Sequence, residues 1–279
     1  MTNKPVKFSV ILLAGQRPGT DPVAEASGVK AKALAPVAGQ AMILNVLDAL
    51  EASPWVGDIF ITLEDPELSS SVPRLMAYDG TGHVVQGTGT ICDSVLSAVE
   101  TQDIRTPFLV ITADHALLTV DMLDHFCEET ARAHTRESRD FLFAVVSERS
   151  FRRAYPYATR TFLDFRDDSY SGCNMFAFMT TTSFRVLDFW HSIEQQRKKP
   201  LRLIRAFGTG NLVRYLLRLD SLTDMINRAG RKLGVNGKAV VMPQPEAAID
   251  VDTPRDLELV EKILMARRAG TRKAAAAAS

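Results

Sequence analysis

The residues best suited to chemistry lie in the segment 10–34, where an apolar run leads into a glycine-containing loop that ends at a lysine. The apolar run at 8–13 predicts a buried strand. Ala14 and Gly15 then leave the strand end almost free of side chains, so backbone N–H groups can approach phosphate oxygens closely. Lys32 would add a mobile positive charge, which stabilises the charge that develops during phosphoryl or nucleotidyl transfer. The same pattern also fits a surface loop with a solvated lysine.

Two better-known phosphate-binding motifs are absent from this sequence. The loop is not a P-loop, because Gly15 and Gly19 are too close together and Thr20 stands where that motif has lysine. A second glycine cluster, starting at Gly87, begins like a dinucleotide fingerprint but has Cys92 where the third glycine belongs. Any phosphate site here must therefore be of another kind.

Acidic residues follow two further strand-like segments. Asp114 comes directly after the apolar run 107–112, and Asp252 precedes a predicted helix that begins at Pro254. Magnesium bound to a nucleotide commonly uses one or two protein carboxylates together with phosphate oxygens, so Asp114 and Asp252 would suffice as metal ligands. The alternatives are that Asp114 only caps a turn and that Asp252 only supports the helix dipole.

Strand-like and helix-like segments alternate along the chain. This order predicts a mainly parallel sheet with helices on both faces, in which ligands bind beyond the carboxyl ends of the strands. Thr119 and Thr253 are expected to cap two of the helices. The predicted strands are 7–13, 58–63, 83–85, 107–112, 141–147, 173–178 and 239–242, and the predicted helices are 41–52, 90–100, 120–134, 182–196 and 254–267.

Composition narrows the class of protein. The 279 residues are enough for one α/β domain, expected over 1–269, and 46% hydrophobic with 24% charged residues is ordinary for a globular protein. The formal net charge is zero, which argues against general nucleic-acid binding. Cys92, Cys127 and Cys173 are widely spaced, and the first residues carry no signal-peptide pattern, so we expect a cytoplasmic protein.

Three segments taken in order resemble one family. They are VILLAG with the later Lys32-Ala33-Leu34, then Thr112-Ala113-Asp114, and finally AIDVDTPRDL at 248–257. Together they resemble the MobA-like nucleotidyltransferases, a superfamily that includes molybdenum cofactor guanylyltransferase, sugar-1-phosphate nucleotidyltransferases and cytidylyltransferases, over about residues 8–262. The resemblance implies a three-layer α/β fold of the Rossmann-like, GT-A type. It also implies transfer of a nucleoside monophosphate from a triphosphate to a phosphorylated small-molecule acceptor, with Mg²⁺ (or Mn²⁺) as cofactor.

The resemblance also assigns roles by position. Lys32 matches the catalytic lysine, and Asp114 and Asp252 match the two metal positions. Asn174 resembles a residue that contacts the acceptor in sugar-nucleotide members, although a structural turn asparagine fits the sequence nearly as well. The nucleotide would be contacted by Leu13, Ala14, Gly15, Gln86, Gly87, Thr88 and Ser94.

The phosphate loop departs from the family pattern. Arg17 and Gly19 stand in exchanged order, and Ala31 replaces the proline before the lysine. Arg17 is still predicted as a catalytic cation, because a guanidinium can bind phosphate oxygens with two donors. Two other readings stay open. One is a glycosyltransferase of related fold, which usually has a D-x-D metal motif, and the other is a catalytically silent nucleotide-binding module.

The segment 197–238 is strongly basic. It holds eleven Lys and Arg residues against Asp220 and Asp224, a net charge of +9 that the rest of the chain balances. We predict a helical insertion here, in which Arg202 and Arg205 bind a phosphorylated acceptor. A solvated helix face, or contact with an anionic membrane surface, would explain the same charges. The Ala-rich tail 270–279 is expected to be disordered.

Overall fold

A computed structural model describes residues 7–15, 19, 21–196 and 209–278. Its main sheet runs in the order β10-β7-β9-β6-β1-β4-β5, with β8 paired to β9, and β2 and β3 form a separate hairpin. The strands are β1 (Phe8–Leu13), β2 (Pro36–Val37), β3 (Gln40–Ala41), β4 (Val56–Leu63), β5 (Val84–Gln86), β6 (Phe108–Thr112), β7 (Phe141–Ser147), β8 (Leu163–Asp164), β9 (Ser169–Phe178) and β10 (Gly237–Val241).

The sheet is mainly parallel, as predicted. Strand β1 lies between β4 and β6 and is parallel to both, β4 is parallel to β5, and β10 is parallel to β7. Strand β9 is antiparallel to both β6 and β7. Because β9 runs the other way, its first residues lie at the edge of the sheet where β6 and β7 end.

Helices cover both faces of the sheet. Thr119 caps α5 by accepting a hydrogen bond from the Met122 N–H, and Thr253 and Asp256 bond each other's backbone N–H at the start of α10, so both predicted caps are confirmed. The helices are α1 (Pro22–Ser27), α2 (Met42–Ala52), α3 (Pro73–Gly80), α4 (Ile91–Thr101), α5 (Val120–Glu137), α6 (Glu148–Ala154), α7 (Phe184–Gln196), α8 (Thr209–Leu216), α9 (Leu222–Leu233) and α10 (Pro254–Ala278).

Two apolar layers form the core, one on each face of the sheet. In β1 the buried Val10 and Leu12 pack into the layer that also contains side chains of α2, α5 and α10, whereas Ile11 and Leu13 pack into the layer with α4 and α7. This alternation follows from the two-residue period of a strand. The three-layer α/β architecture expected from the sequence is confirmed.

Several features differ from the sequence predictions. The last helix extends to Ala278, past its predicted end at 267, and the expected disorder of 270–279 stays a prediction. Alanine has the highest helix propensity, and a segment that extends an existing helix needs no new nucleus. The range 197–238 ends inside β10, so its last two residues belong to the sheet. The short helices α1, α3 and α6 were not predicted.

Among the residues that the structure describes, no helix is both long and apolar enough to cross a membrane.

Candidate active site

The candidate site lies at the carboxyl ends of β1 and β6. Gly15 follows β1 at the sheet edge, and Asp114 follows β6 on the neighbouring strand. The backbone N–H of Val251 donates to the carbonyl of Asp114 at 3.1 Å, which ties the segment before α10 to the same edge. Asp252 is thereby brought beside Asp114, although the two residues are 138 positions apart in the sequence.

Lys32 connects these two carboxylates. Its Nζ lies 2.8 Å from Asp114 Oδ2 and 2.9 Å from Asp252 Oδ1. The lysine reaches this position from a single 3₁₀ turn, Lys32–Leu34, that follows α1. Asp21 starts α1 by accepting hydrogen bonds from the backbone N–H groups of Val23 and Ala24. The structure therefore brings together the lysine and both aspartates that the sequence selects.

The charge of Lys32 is stabilised by this arrangement. Burial disfavours the ammonium, but the nearby Asp114 and Asp252 carboxylates outweigh that effect and hold the pKa of Lys32 above its usual value. The lysine is therefore protonated throughout the physiological pH range. One ammonium between two carboxylates leaves a local charge of about −1, which suits an additional cation.

Neighbouring residues fix Asp114 in place. The Thr112 hydroxyl donates to the second carboxylate oxygen, Asp114 Oδ1. His115 is the next residue and is fully buried, so burial lowers its pKa to about 4. A neutral imidazole at this depth cannot collect a proton from solvent at neutral pH. His115 is therefore suited to a structural role rather than to general base catalysis.

A second polar cluster lies near Asp114 and Asp252 and was not predicted in full. Asp250 forms an ion pair with Arg160, and Asn174 Nδ2 donates to Asp250 Oδ2 at 2.9 Å. Burial raises the pKa of Asp250, and the Arg160 guanidinium opposes that rise. Asp250 was visible in the sequence as the first acid of Asp250-Val251-Asp252. Arg160 lies in an irregular segment and carries no sequence signal.

Asn174 has an unusual backbone for a strand residue. Its φ is +50°, and the pairing of β9 with β7 shifts register between Phe143 and Val145, so β9 has extra residues at this point. Asparagine tolerates this left-handed conformation better than most residues. A bulge beside a site commonly redirects a side chain, and here it brings the Asn174 amide to Asp250.

The predicted base-recognition loop connects β5 to α4. Gly87 N–H donates to the Leu63 carbonyl at 2.6 Å, which continues the β4–β5 pairing. The Ser94 hydroxyl accepts from Thr88 N–H at 3.0 Å and donates to the Thr88 carbonyl at 3.1 Å. A Cβ on Gly87 would lie 3.4 Å from the Leu63 backbone and from Ser94 Oγ. The loop is therefore held tightly against the sheet, and Gln86 is exposed beside it.

The three predicted nucleotide contacts at the end of β1 differ in their backbone surroundings. The Leu13 carbonyl accepts from Ala113 N–H, and Ala14 N–H donates to the Thr62 carbonyl, so these groups are used within the sheet. Gly15 is exposed and has open space around its Cα. Gly15 is accordingly the position of the three where a ligand can approach the backbone most closely.

Three predicted site residues are not placed by the structure. Arg17, Arg202 and Arg205 lie outside the described residues.

Basic residues in the described part of the segment 209–238 are engaged in ion pairs. Arg214 and Arg228 both contact Asp220, whose side chain is only 3% exposed. Arg218 pairs with Asp164 of β8, and Lys238 pairs with Glu137. These four charges therefore contribute less free positive charge than the sequence alone suggests.

Comparisons with known proteins identify a family match and several similar structures. Residues 10–173, more than half of the chain, match the model of the MobA-like NTP transferase domain. The sequence matches none of the curated proteins. A hypothetical transferase from Thermus thermophilus is 28% identical, with a TM-score of 0.70 over 90% of this chain and 100% of that chain.

Two more distant structures share the fold. A 4-diphosphocytidyl-2C-methyl-D-erythritol synthase from Anaerococcus prevotii is 14% identical, with a TM-score of 0.57 over 93% of this chain and 96% of its own. A CMP:2-keto-3-deoxy-manno-octonic acid synthetase complexed with CTP is 13% identical, with a TM-score of 0.54 over 94% of this chain and 100% of that chain. With the family match over residues 10–173, the chain belongs to the MobA-like NTP transferase domain family and is a nucleotidyltransferase enzyme.

Proposed function

We propose that this enzyme transfers a nucleoside monophosphate from a nucleoside triphosphate to a phosphorylated small molecule and releases pyrophosphate. The observation that carries the proposal is the contact of one ammonium, Lys32 Nζ, with both Asp114 and Asp252 at 2.8 and 2.9 Å. This cluster lies at the carboxyl edge of the sheet, where ligands bind in such folds. It joins a cation for phosphate oxygens to two carboxylates suited to a divalent metal.

The reaction requires little acid–base chemistry. An oxygen of the acceptor phosphate attacks the α-phosphorus, the bond from that phosphorus to the bridging oxygen of the β-phosphate breaks, and pyrophosphate leaves with the electron pair. The attacking phosphate is already ionised near neutral pH, which agrees with the absence of a base role for the buried His115. Catalysis then depends on alignment and on stabilising negative charge, and Lys32 supplies a permanent positive charge for that purpose.

The residues present fit a magnesium ion. Asp114 and Asp252 offer hard oxygen donors within reach of one common position. The two negative charges of these carboxylates exceed the single positive charge of Lys32. Asp252 is 63% exposed and therefore accessible to an ion from solvent. Within the described ranges no group of three or more His, Cys, Asp or Glu residues forms a closed cage, and phosphate oxygens would complete the coordination. When bound, the ion would neutralise and align the phosphates.

The order of the strands suggests how the nucleotide lies. Asp114 follows β6, Gly15 follows the adjacent β1, and Thr88 follows β5 two strands further along. With about 4.8 Å between neighbouring strands, this edge spans roughly 14 Å. We place the triphosphate over Gly15, Lys32 and Asp114, with Arg17 as a further cation, and the base at Gln86, Gly87 and Thr88.

The acceptor belongs on the other side of Asp114 in this proposal. Strand β9 lies beside β6, and its Asn174 adjoins Asp250. An amide side chain can donate and accept, which suits recognition of acceptor hydroxyl groups. We also propose that Arg202 and Arg205 bind the acceptor phosphate, because the segment that contains them is strongly basic.

The direct test is pyrophosphate release by the full chain with each of the four nucleoside triphosphates in turn, with and without Mg²⁺, and with a panel of phosphorylated acceptors. CTP is an instructive first donor, because one solved structure of this fold is a complex with CTP. We expect release with one triphosphate, dependence on both acceptor and metal, and a loss of at least about 10²-fold in kcat for Asp114→Asn.

Two outcomes would contradict the proposal. Hydrolysis or transfer of sugar from a nucleotide sugar, with no pyrophosphate from any triphosphate, would indicate a glycosyltransferase. Triphosphate binding with no turnover for any acceptor would indicate a silent nucleotide-binding module. Asp103→Asn is the matched control for Asp114→Asn, because the Asp103 side chain is 82% exposed and precedes β6, at the opposite end of the strand that Asp114 follows.

A further inference from the structure

Helix α8 and the turn after it present their apolar residues to solvent. Val213, Leu216, Leu217 and Leu219 are 52%, 68%, 63% and 43% exposed. The first three have the i, i+3, i+4 spacing that places side chains on one face of a helix. We call Val213, Leu216, Leu217 and Leu219 the α8 apolar face. Single exposed apolar residues are normal on a protein surface, but four within seven positions form a patch.

The opposite side of α8 is anchored by polar contacts. Arg214 donates from Nε and Nη2 to the buried Asp220 carboxylate, at 2.6 to 3.1 Å. Tyr215 packs edge-on against Phe165, with the ring centres 5.9 Å apart. A surface helix normally buries its apolar stripe and exposes its charges. Here an arginine points inward and the leucines point outward, so the fold holds this apolar face in a fixed, outward orientation.

The charge of the surrounding chain indicates what covers the apolar face. Between Arg197 and Leu219 the sequence has seven Lys and Arg residues and no Asp or Glu. In the described part, Arg218 lies between Leu217 and Leu219 in the sequence, and its side chain remains 63% exposed although it pairs with Asp164. Arg214 pairs with the buried Asp220, so the basic character of this stretch comes mainly from the sequence 197–205. Leucines beside arginines are typical of segments that lie on anionic bilayers, where apolar groups enter the interface and cations meet the headgroups.

We propose that the α8 apolar face docks on the surface of an anionic lipid bilayer. Membrane contact of this kind needs no spanning helix, only an amphipathic surface with basic residues. Nucleic acid would match the arginines but leave the leucines in water, and a second copy of the chain would bring the same basic segments together. The bilayer is the partner that satisfies both the charge and the apolar area.

The location of this face relates it to the candidate active site. Arg218 pairs with Asp164 of β8, and β8 pairs with the first residues of β9. Those residues lie at the sheet edge where β6 and β7 end, which is also the edge of Asp114. Docking would therefore bring the catalytic edge toward the membrane. This placement does not depend on the identity of the nucleotide or the acceptor.

The test is co-sedimentation of the full chain with vesicles. One set contains phosphatidylcholine alone, and the other contains about 30% phosphatidylglycerol, each at about 0.1 M and about 0.5 M salt. The test variant is Val213→Ser/Leu216→Ser/Leu217→Ser. The matched control, Met76→Ser/Val241→Ser/Met265→Ser, removes three apolar side chains that are 52%, 50% and 52% exposed elsewhere.

We expect the native chain and the control to bind anionic vesicles at low salt, to release at high salt, and to bind phosphatidylcholine weakly. The test variant should bind at least about tenfold more weakly, because three inserted apolar side chains are lost. Equal vesicle binding by the test variant and the native chain would overturn the proposal, as would no binding by the native chain. A dimer in sedimentation velocity that the test variant abolishes, without vesicle binding, would assign the face to a second copy.

A second variant keeps the test decisive if the triple substitution affects folding. Leu216→Trp places a fluorescent side chain at the most exposed position of the α8 apolar face. Its emission, after subtraction of the native spectrum, should shift to shorter wavelength with anionic vesicles. An unshifted spectrum in the presence of bound vesicles would contradict insertion of this face.

Discussion

Replacing Lys32 by methionine separates catalysis from metal binding more sharply than any other single change. Methionine keeps much of the length of the lysine stem but removes the charge that lies between Asp114 and Asp252. If Lys32 stabilises the transition state, kcat falls by about 10²–10³-fold, which corresponds to about 3–4 kcal/mol for the loss of one positioned donor. The same change should strengthen, not weaken, the binding of Mg²⁺.

The reason for the opposite effect on Mg²⁺ lies in the distances. The two contacts of Lys32 Nζ, 2.8 and 2.9 Å, add to 5.7 Å, which is the largest separation the two contacted carboxylate oxygens can have. Two negative charges at that distance repel by about 1 kcal/mol with water-like screening and about 3 kcal/mol with the screening near a protein surface. Because Asp252 is 63% exposed, we take the lower figure. Relief of about 1 kcal/mol corresponds to roughly fivefold tighter Mg²⁺ binding.

Steady-state pyrophosphate release gives kcat, and isothermal titration with Mg²⁺ in the absence of nucleotide gives the Kd. Lys30→Ala controls for the loss of a nearby lysine, and Lys32→Arg restores charge with a different donor geometry. Asp114 and Asp252 hold the pKa of Lys32 above the usual lysine value of about 10.5. The plot of kcat against pH should therefore show no inflection from Lys32 between pH 6 and pH 9. A kcat within about threefold of the native value in Lys32→Met would refute the catalytic role.

Three further predictions concern neighbouring groups. Burial lowers the pKa of His115 from 6.5 to about 4, so as the pH falls this histidine is protonated first in the unfolded chain. Its contribution to the free energy of unfolding is complete above pH 6.5 and decreases by about 3 kcal/mol toward pH 4. His115→Met should remove this pH dependence in denaturant titrations. Arg160→Met leaves the half-buried Asp250 carboxylate without its cation and should lower the free energy of unfolding by about 3 kcal/mol, as measured by urea titration. Ser94→Ala removes both hydrogen bonds to the Thr88 backbone and should raise the KM for the triphosphate about five- to tenfold with little change in kcat.

Each of these has a result that would contradict it. A pH profile unchanged in His115→Met would show that other groups govern acid stability. The control for Arg160 is Arg153→Ala, a change at an exposed arginine of α6. Equal free energies of unfolding for Arg160→Met and Arg153→Ala would show that the Asp250 carboxylate does not need its partner. For Ser94, Ser97→Ala on the same helix is the control, and equal KM values in the two variants would remove the loop from nucleotide recognition.

The sheet and its main helices were predictable because their patterns are strong. All seven predicted strands and all five predicted helices are present, with boundaries that differ by a few residues at most except at the ends of β9 and α10. The direction of β9 was not predictable, because an apolar segment reads the same in a parallel and an antiparallel strand. The helices α1, α3 and α6 are short and have too few turns to show a clear apolar period.

The candidate site was predictable in its members but not in its contacts. Lys32, Asp114 and Asp252 stood out because each adjoins a strand end or a helix start. That a single ammonium joins both carboxylates depends on contacts across 82 and 220 residues, which no local pattern encodes. The ion pair of Arg160 with Asp250 could not be predicted for the same reason. That α8 exposes its apolar residues and turns Arg214 toward the protein is evident only from the burial of each side chain.

The central claim, that Lys32, Asp114 and Asp252 form the catalytic centre of a nucleotidyltransferase, is tested most directly by one comparison. Pyrophosphate release is measured with the accepted triphosphate, Mg²⁺ and a phosphorylated acceptor, for the native chain and for Asp114→Asn. The account predicts Mg²⁺-dependent release by the native chain and a rate at least about 10²-fold lower for the variant. Release that needs no divalent metal, or that persists at the native rate in Asp114→Asn, would contradict it.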